Sequence, residues 1–235
     1  MLTNILNDIN SILAPRVCFG CNAHLYGGEQ LLCTICRNDL PLTDYSFNDE
    51  NPVDRIFYGR INIKKASSML FFSNRGIVRE LIHYLKYRNQ EQIGAFLGDW
   101  YGQILKDNQE LTDTIDMVIP VPLHRKKLKK RGYNQVASFA KRLAFHLKTA
   151  YVDHILIKSA NTKTQTKKSR IGRWQSDKVL YTVTDIEFIK NKHILLVDDV
   201  ITTGATMELC ARALAKAPGT TLYVASMAVV HKLWN

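Results

Sequence analysis

The chain has 235 residues, of which 46% are hydrophobic, and it carries a formal net charge of +11 at pH 7. This length has room for one α/β domain and a small additional module, and the hydrophobic content is ordinary for a globular protein. No apolar run approaches the ~20 residues that a membrane span requires, and residues 1–13 lack the basic start of a signal peptide. The sequence therefore predicts a cytoplasmic protein that does not insert into a membrane.

Four cysteines near the N-terminus form two C-x-x-C pairs, Cys18 with Cys21 and Cys33 with Cys36. Pairs at this separation can each lie on a tight turn and together present four thiolates to one Zn²⁺ ion in a closed site. Disulfides are one alternative, although a cytosolic protein would keep them reduced, and a redox-active C-x-x-C is another. Because so short a segment has little core of its own, a structural zinc ion would supply much of its folding energy.

Residues 40–65 contain prolines, asparagines and acidic residues, without a regular apolar pattern. We interpret them as a linker with an irregular strand near residues 61–63. The predicted domains are an N-terminal helix with a four-cysteine zinc module, residues 1–60, and a larger domain, residues 61–235.

Beyond the linker, apolar runs alternate with amphipathic stretches, which is typical of a parallel α/β sheet. The polar face of the first helix, which includes His83 and Lys86, is interpreted as a solvated surface. Cys210, on the apolar side of the last helix, is interpreted as a core residue. Strands are predicted at residues 66–72, 116–122, 151–157 and 194–197, and helices at residues 77–88, 92–106, 136–147 and 207–217.

Basic residues concentrate between residues 121 and 175, where fifteen Lys and Arg accompany one acid, Asp153. Such a block indicates an anionic partner, either nucleic acid or polyphosphate groups; a solvated surface is the alternative. Its first part is a basic loop after the strand that Pro120 and Pro122 end. The carboxyl ends of parallel strands meet at one edge of a sheet, where ligands bind.

The most informative stretch is the apolar run Ile194–Val197, followed by Asp198, Asp199 and the turn Thr202–Thr206. Backbone N–H groups of such a turn and the next helix N-terminus favour a phosphate, and Gly204 lets the main chain approach it closely. Two carboxylates beside a phosphate need sugar hydroxyls, a metal ion, or both. Together these groups predict a ribose 5-phosphate ligand with Mg²⁺.

Other interpretations of this stretch are a strand that merely ends at a solvated loop, a Walker B strand and a receiver-domain acidic pocket. The chain contains no G-x-x-x-x-G-K-[ST] motif, which a Walker B strand would require as its partner. Receiver chemistry has no use for the Thr-Thr-Gly-Ala-Thr that follows the carboxylates.

The stretch from Ile194 to Thr206 resembles the phosphoribosyl pyrophosphate (PRPP) signature of type I phosphoribosyltransferases. With the other motifs it stands in the order seen in the ComF family (ComFC/GntX-like), zinc-ribbon phosphoribosyltransferase-like proteins linked to natural competence. Those motifs are the cysteine pairs, His83-Tyr84-Leu85-Lys86-Tyr87, Ile119-Pro120-Val121-Pro122-Leu123, Arg131-Gly132-Tyr133-Asn134-Gln135, and Thr162-x-x-Gln165 with Arg173. The family commonly has Arg where Lys158 stands and Asn where Ser176 stands. Since Lys is a poorer bidentate phosphate clamp than Arg, the role of position 158 is open.

The resemblance implies a type I phosphoribosyltransferase-like fold, with a central parallel sheet, helices on both faces and a small N-terminal zinc-ribbon module. Asp198 and Asp199 would be the catalytic pair that holds the ribose hydroxyls, with Mg²⁺ bridging those hydroxyls and the pyrophosphate. The 5-phosphate would bind Thr202, Thr203, Gly204, Ala205 and Thr206. Candidates for the pyrophosphate are Arg125, Lys126 and Arg131, and a flexible loop would add Lys163 or Arg170 and exclude water.

Two functions follow from the resemblance. In the first, the protein binds PRPP with Mg²⁺ and takes part in DNA uptake during natural competence, the basic block engages single-stranded DNA, and the zinc ribbon contacts a competence helicase. In the second, it is a phosphoribosyltransferase of nucleotide metabolism with no DNA role. An acceptor pocket would distinguish them, and no motif in the sequence identifies one.

Overall fold

The computed structural model describes residues 16–159 and 180–230. Two residues predicted to lie on a flexible loop, Lys163 and Arg170, fall outside this part. The strands of the described part are β1 (Lys65–Phe72), β2 (Met117–Pro120), β3 (Ala150–Tyr151), β4 (Leu156–Lys158), β5 (Tyr181–Val183), β6 (His193–Ile201) and β7 (Thr221–Val230). Its helices are α1 (Thr34–Asn38), α2 (Pro52–Arg55), α3 (Ile77–Tyr87), α4 (Glu91–Leu105), α5 (Gln109–Thr114), α6 (Arg125–Arg131), α7 (Ala137–His146), α8 (Ile186–Ile189) and α9 (Ala205–Leu214).

Five strands form a parallel sheet in the order β1-β7-β6-β2-β3. The central strand β6 has Ala225 of β7 opposite Val197 on one side and Pro120 of β2 opposite it on the other. The chain that leaves β2 therefore emerges beside the carboxylates of β6. This places the basic segment and the carboxylates at the same edge of the sheet, as the sequence predicts.

Helices cover both faces of the sheet because the side chains of β6 alternate between two cores. Leu195 and Val197 pack in a core with residues of α3, α4 and α7, whereas Ile194 and Leu196 pack in a core with residues of α9. All four side chains are inaccessible to solvent. Continuous apolar strands of this kind belong to sheets buried on both sides, so the predicted fold class is confirmed.

A row of glycines on α4 lets this helix lie directly against α7. A Cβ atom at Gly98 would be 2.8 Å from the carbonyl oxygen of Phe139, and one at Gly94 would be 2.4 Å from Oγ of Ser138. Gly102 meets the ring of His146 in the same way. Three glycines four positions apart occupy one face of a helix, so the close approach follows from their spacing.

The cysteine segment packs on the larger domain through α3 and α4. The ring of Phe19 lies 4.8 Å from that of Tyr84, and the guanidinium of Arg37 lies 5.2 Å from the centre of the Trp100 ring. A Cβ atom at Gly20 would be 3.1 Å from Ile77. The predicted domain boundary at residue 60 stays a prediction, but the two parts share one hydrophobic core.

Two strand predictions are wrong. Residues 151–157 were expected to form one strand, but β3 ends at Tyr151 and β4 starts at Leu156 in a separate antiparallel pair with β5. The irregular strand expected near residues 61–63 is absent there. In both cases the apolar residues pack on a core without continuing a ladder, and hydrophobicity alone cannot distinguish these outcomes.

The basic segment after β2 is a short helix, α6, rather than a loop. The side chain of His124 accepts a hydrogen bond from the N–H of Lys126 at 3.2 Å, which caps the first turn. Gly132, at a φ of 85°, ends the helix in the left-handed conformation, as is common at helix C-termini. Basic residues in its last turn also complement the helix dipole.

The ends of the central elements differ from the prediction as well. Strand β6 continues past the carboxylates to Ile201 because Asp198 and Val200 still pair with β7. Within residues 16–159 and 180–230, β7 is the longest strand; it follows α9 and was not assigned from the sequence, although its residues are almost all buried. Cys210 is fully buried on α9, which confirms its interpretation as a core residue.

Candidate functional site

The two carboxylates near the end of β6 have different surroundings because neighbouring residues of a strand point to opposite faces. Asp199 lies on the face that carries α3 and α7, where it contacts Lys86 and Gln135. Asp198 lies on the face of α9. Their exposed fractions are only 9% for Asp198 and 5% for Asp199, so each depends on its protein partners.

Asp199 has a partner on each carboxylate oxygen. Lys86 Nζ lies 2.9 Å from Oδ1, and Gln135 Nε2 donates to Oδ2 at 2.7 Å. The guanidinium of Arg131 in turn donates to the amide oxygen of Gln135. The charge of Asp199 is therefore neutralised and hydrogen-bonded in the ligand-free protein, which is what a buried carboxylate requires.

Asp198 is less well compensated. Its Oδ1 accepts the backbone N–H of Asp199 at 2.8 Å. Burial, followed by the negative charge of Asp199, raises the pKa of Asp198 to about 8, although Lys86 and Lys158 act in the opposite direction. A carboxyl group with so high a pKa is poised to gain a cation or a hydroxyl donor.

Lys158 approaches this side of the site from β4. Its Nζ lies 2.8 Å from the hydroxyl of Tyr181 on β5. Burial lowers the pKa of Lys158. The positive charge of Lys127 lowers this pKa further, whereas the negative charge of Asp198 raises it. Lys158, whose role the sequence left open, is therefore near Asp198.

The turn between β6 and α9 is shaped by Gly204, whose φ is 75°. A Cβ atom there would be 2.7 Å from Ile56 and 3.0 Å from Phe57, so any larger residue would be strained and would also collide. Gly204 occupies the N-cap position of α9 and has no side chain to satisfy the first N–H groups. These groups, with the surrounding exposed residues, have the arrangement expected of an anion site, and their role stays a prediction. The exposed residues are Thr202, Thr203, Ala205 and Thr206.

Residues of the predicted linker support this turn from behind. Arg60 Nη1 donates to the carbonyl oxygen of Thr203 at 2.6 Å, while its Nη2 lies 2.6 Å from the carboxylate of Glu208. Arg212 also pairs with Glu208, at 3.0 Å, and donates to the carbonyl of Arg60 at 2.8 Å. The turn is thus fixed from one side and open to solvent on the other.

The predicted pyrophosphate residues do not share one setting. Arg125 and Lys126 are exposed on α6, which begins beside β6 because the N–H of Val121 bonds to the carbonyl of Val197 at 2.8 Å. Arg131 instead turns towards Gln135 and lies 5.7 Å from the centre of the Tyr87 ring. Arg131 therefore supports the partner of a carboxylate in this state, and the roles of all three stay predictions.

The four cysteines form a group with the dimensions of a zinc site. Their sulfur atoms all lie within 4.8 Å of one another, and the sulfurs of Cys21 and Cys33 are 3.8 Å apart. A tetrahedral site with Zn–S bonds of about 2.3 Å has sulfurs about 3.8 Å apart. Backbone N–H groups of Gly20 and Cys33 donate to Cys18 Sγ at 3.3 Å. These thiolates fit a structural Zn²⁺, and His24 is exposed outside the group.

Burial acts to raise the pKa of the Cys18 thiol, but the N–H groups of Cys33, Cys21 and Gly20 lower that pKa to about 7. A thiol so placed ionises readily and is prepared to be a metal ligand. The chemistry of Cys18 thus agrees with the spacing of the group, whereas burial, followed by the neighbouring thiols, raises the pKa of Cys36.

Sequence reasoning missed three side chains that contact the candidate site, namely Lys86, Gln135 and Arg60. Lys86 was interpreted as part of a solvated helix face, and Arg60 was placed in a linker. The only sequence signal for the first two was their position within motifs that carry the family resemblance. Their contacts with Asp199 and the turn join residues far apart in the chain, which local pattern cannot show.

The clearest cavities lie elsewhere. One of about 650 Å³ separates the cysteine segment from α4 and is lined in part by Phe19 and Phe96. Another of about 310 Å³ is lined in part by Tyr45 and Tyr101. Neither includes the carboxylates of β6, so the candidate site is identified by its chemistry rather than by enclosure.

Comparison with known proteins agrees with this geometry. Residues 129–232 match the phosphoribosyl transferase domain family. Competence protein ComFC of Bacillus subtilis is 26% identical over 204 residues, which cover 85% of this chain and 78% of that protein. Competence protein F of Haemophilus influenzae is 31% identical over 140 residues, which cover 58% of this chain and 61% of that protein. Among solved structures, the glutamine PRPP amidotransferase of B. subtilis, complexed with ADP and GMP, aligns with a TM-score of 0.44 and 17% identity over 63% of this chain and 30% of that one.

The fold and the family match define a phosphoribosyltransferase-like protein. With the four-cysteine group in front of that domain, the chain is similar to the competence proteins named above, which supports its resemblance to the ComF family. The match spans less than two thirds of the Haemophilus protein and of the amidotransferase. In the part of the chain that the structure describes, no helix is both long and apolar enough to cross a membrane.

Proposed function

We propose that this protein binds PRPP together with Mg²⁺ and acts in the cytoplasm in the uptake of DNA during natural competence. The observation that carries the first part is the pair Asp198 and Asp199, buried beside a turn that only glycine can form at position 204. The second part is supported by the competence proteins to which the chain is similar and by the basic segment beside the site.

The residues of the site fit the parts of this ligand. The turn from Thr202 to Thr206 offers N–H groups and hydroxyls to the 5-phosphate. Asp198 and Asp199 accept hydrogen bonds from the ribose hydroxyls. Bound Mg²⁺ would neutralise charge between those hydroxyls and the pyrophosphate.

The basic residues on α6 provide positive charge for the pyrophosphate at the neighbouring edge. Arg125 and Lys126 are exposed there, next to the chain that leaves β2. If the protein transfers phosphoribose, these cations would stabilise the departing pyrophosphate. The acceptor that would receive phosphoribose is left open.

Isothermal titration calorimetry of PRPP with and without Mg²⁺ tests the first part. Binding should require Mg²⁺ and should be lost in the double variant Asp198→Asn/Asp199→Asn and in Gly204→Val. Gly28→Val is a matched control, because Gly28 also has a positive φ, of 88°, but nothing lies within 4 Å of its Cβ position. Equal PRPP affinity in the wild type and both site variants would refute the assignment.

Salt-dependent binding of single-stranded DNA tests the second part. Each neutralised phosphate contributes about −0.7 to the log–log salt slope, so replacing Lys126, Lys127, Lys129 and Lys130 with Glu should flatten the slope. Changing only Lys129 and Lys130 should spare PRPP. A control with equal charge change replaces the exposed lysines Lys64, Lys106, Lys190 and Lys216.

Two results would separate the DNA role from the alternative. If the α6 variant leaves the salt slope unchanged, or if the control variant flattens it equally, the basic segment is a solvated surface. Absence of DNA binding, together with release of pyrophosphate from PRPP in the presence of a nucleobase, would favour a phosphoribosyltransferase of nucleotide metabolism. Binding of a competence helicase to the zinc ribbon belongs to this proposal and can be tested by pull-down with Cys18→Ser as the control.

A further inference from the structure

A lysine outside the phosphate-binding stretch reaches one of the two carboxylates. Lys86 lies in the last turn of α3, and its Nζ is 2.9 Å from Oδ1 of Asp199. The lysine side chain is 24% exposed, whereas that of Asp199 is 7% exposed. Lys86 is therefore the more exposed member of this pair.

The neighbours of Lys86 hold it in this position. The hydroxyl of Tyr133 donates to the carbonyl of Leu85, and the guanidinium of Arg131 lies over the ring of Tyr87. The residues on both sides of Lys86 are thus attached to the connection between α6 and α7. The backbone of α3 at Lys86 is therefore held in place by these contacts.

Of the two partners of Asp199, Lys86 is the one that can yield to a ligand. Gln135 is 6% exposed and is itself held by Arg131. Lys86 is an ammonium group on a flexible four-carbon stem and is partly in contact with solvent. A ribose hydroxyl that bonds to Oδ1 of Asp199 would therefore displace the lysine, which needs another anion nearby.

The geometry indicates which anion that is. The 5-phosphate turn is backed by Ile56 and Phe57, which belong to the core on the α9 face of the sheet. Lys86 comes from α3, which covers the opposite face. Because Lys86 pairs with the carboxylate that would hold the ribose hydroxyls, a phosphate group on C1 of a ribose whose 5-phosphate lies in the turn would come close to Lys86.

We propose that Lys86 is a ligand-binding residue that leaves Asp199 and binds the pyrophosphate at C1 of the sugar, so that it selects PRPP over ribose 5-phosphate. This inference rests on the proposed function, because it needs the 5-phosphate at the turn. A purely structural lysine, which only neutralises Asp199, would affect both ligands equally.

Calorimetry of Lys86→Met with PRPP and with ribose 5-phosphate, each with Mg²⁺, separates these roles. Loss of a charged hydrogen bond should weaken PRPP binding about tenfold or more and ribose 5-phosphate binding much less, and Lys86→Arg should restore most of the preference. Lys190→Met, which removes a lysine from an exposed pair with Glu187, should change neither ligand. Equal loss for both ligands, or no loss, in Lys86→Met would overturn the inference.

A second measurement does not depend on the folding of the Met variant. In protein with ¹³C-dimethylated lysines, which keep their charge, the Lys86 signal, assigned with Lys86→Arg, should move to a different position with PRPP than with ribose 5-phosphate, because only PRPP offers a pyrophosphate to the displaced lysine. An identical response to the two ligands would refute the selection. Wild-type protein that binds neither ligand would refute the proposed function and this inference with it, whereas binding with a preference that Lys86→Met retains would refute this inference alone.

Discussion

Replacement of Asp198 by Asn should stabilise the ligand-free protein, and the gain should grow with pH. Burial and then the Asp199 carboxylate raise the pKa of Asp198 from 3.8 to about 8. Below the lower value the carboxyl is protonated in both the folded and unfolded chains, and it imposes no cost. As the pH rises from 3.8 to about 8, the unfolded chain ionises while the folded chain stays protonated, so stability falls over this range and the loss is complete above about 8. Asn does not titrate and avoids this loss.

The size of the effect follows from the two pKa values. At about 1.4 kcal/mol for each tenfold change in an equilibrium, the elevation corresponds to at most about 6 kcal/mol above pH 8. Relaxation around a buried group reduces such values, and we expect about 1–3 kcal/mol. For a protein of this size that corresponds to a rise in Tm of roughly 3–10 °C at pH 8, and to much less at pH 5.

Scanning calorimetry of ligand-free protein, in buffers without Mg²⁺ between pH 5 and 8.5, measures this difference. Asp199→Asn is the contrasting variant: it leaves Lys86 without its carboxylate partner, so it should not give the same pH-dependent gain. A Tm difference between Asp198→Asn and the wild type that does not change with pH would refute the reasoning. A lower Tm for Asp198→Asn at every pH would refute it as well.

Three other features give testable expectations. Elemental analysis should find one zinc per chain. Cys18→Ser should lower both the zinc content and the Tm, because three thiolates leave the site open. Protein without zinc and with four titratable thiols would contradict this expectation. Gly98→Val should cost about 1–3 kcal/mol in urea unfolding, since its side chain would press on α7, whereas Gly27→Val, with open space around it, should cost far less. Arg60→Met should weaken PRPP and ribose 5-phosphate equally, by about tenfold, because it frees the carbonyl of Thr203 at the 5-phosphate turn; unequal loss in calorimetry would show that Arg60 acts elsewhere.

The parts of the fold that could be predicted are those whose signal is local. The apolar residues before Asp198, the glycine of the turn and the spacing of the cysteines each impose their structure within a few residues of chain. The position of the basic segment beside the carboxylates also followed, because parallel strands share one edge for their carboxyl ends. These features sufficed for the fold class, whereas the ligand of the candidate site stays a prediction.

The parts that could not be predicted depend on contacts between distant residues. The pairing of Lys86 with Asp199 brings α3 to β6, and the bond from Arg60 to Thr203 brings the predicted linker to the turn. A polar helix face looks the same in sequence whether water or a carboxylate lies opposite it. Likewise, the division of residues 151–157 between two sheets depends on which strand is available as a partner.

Helix α3 contacts both the cysteine segment and the candidate site. At its first residue Ile77 contacts the cysteine segment, further along Tyr84 meets Phe19, and near its end Lys86 reaches Asp199. A graft that exchanged the cysteine segment for another would therefore need to bring this helix with it. Likewise, a change in the cysteine segment would alter the packing on the helix that also carries Lys86.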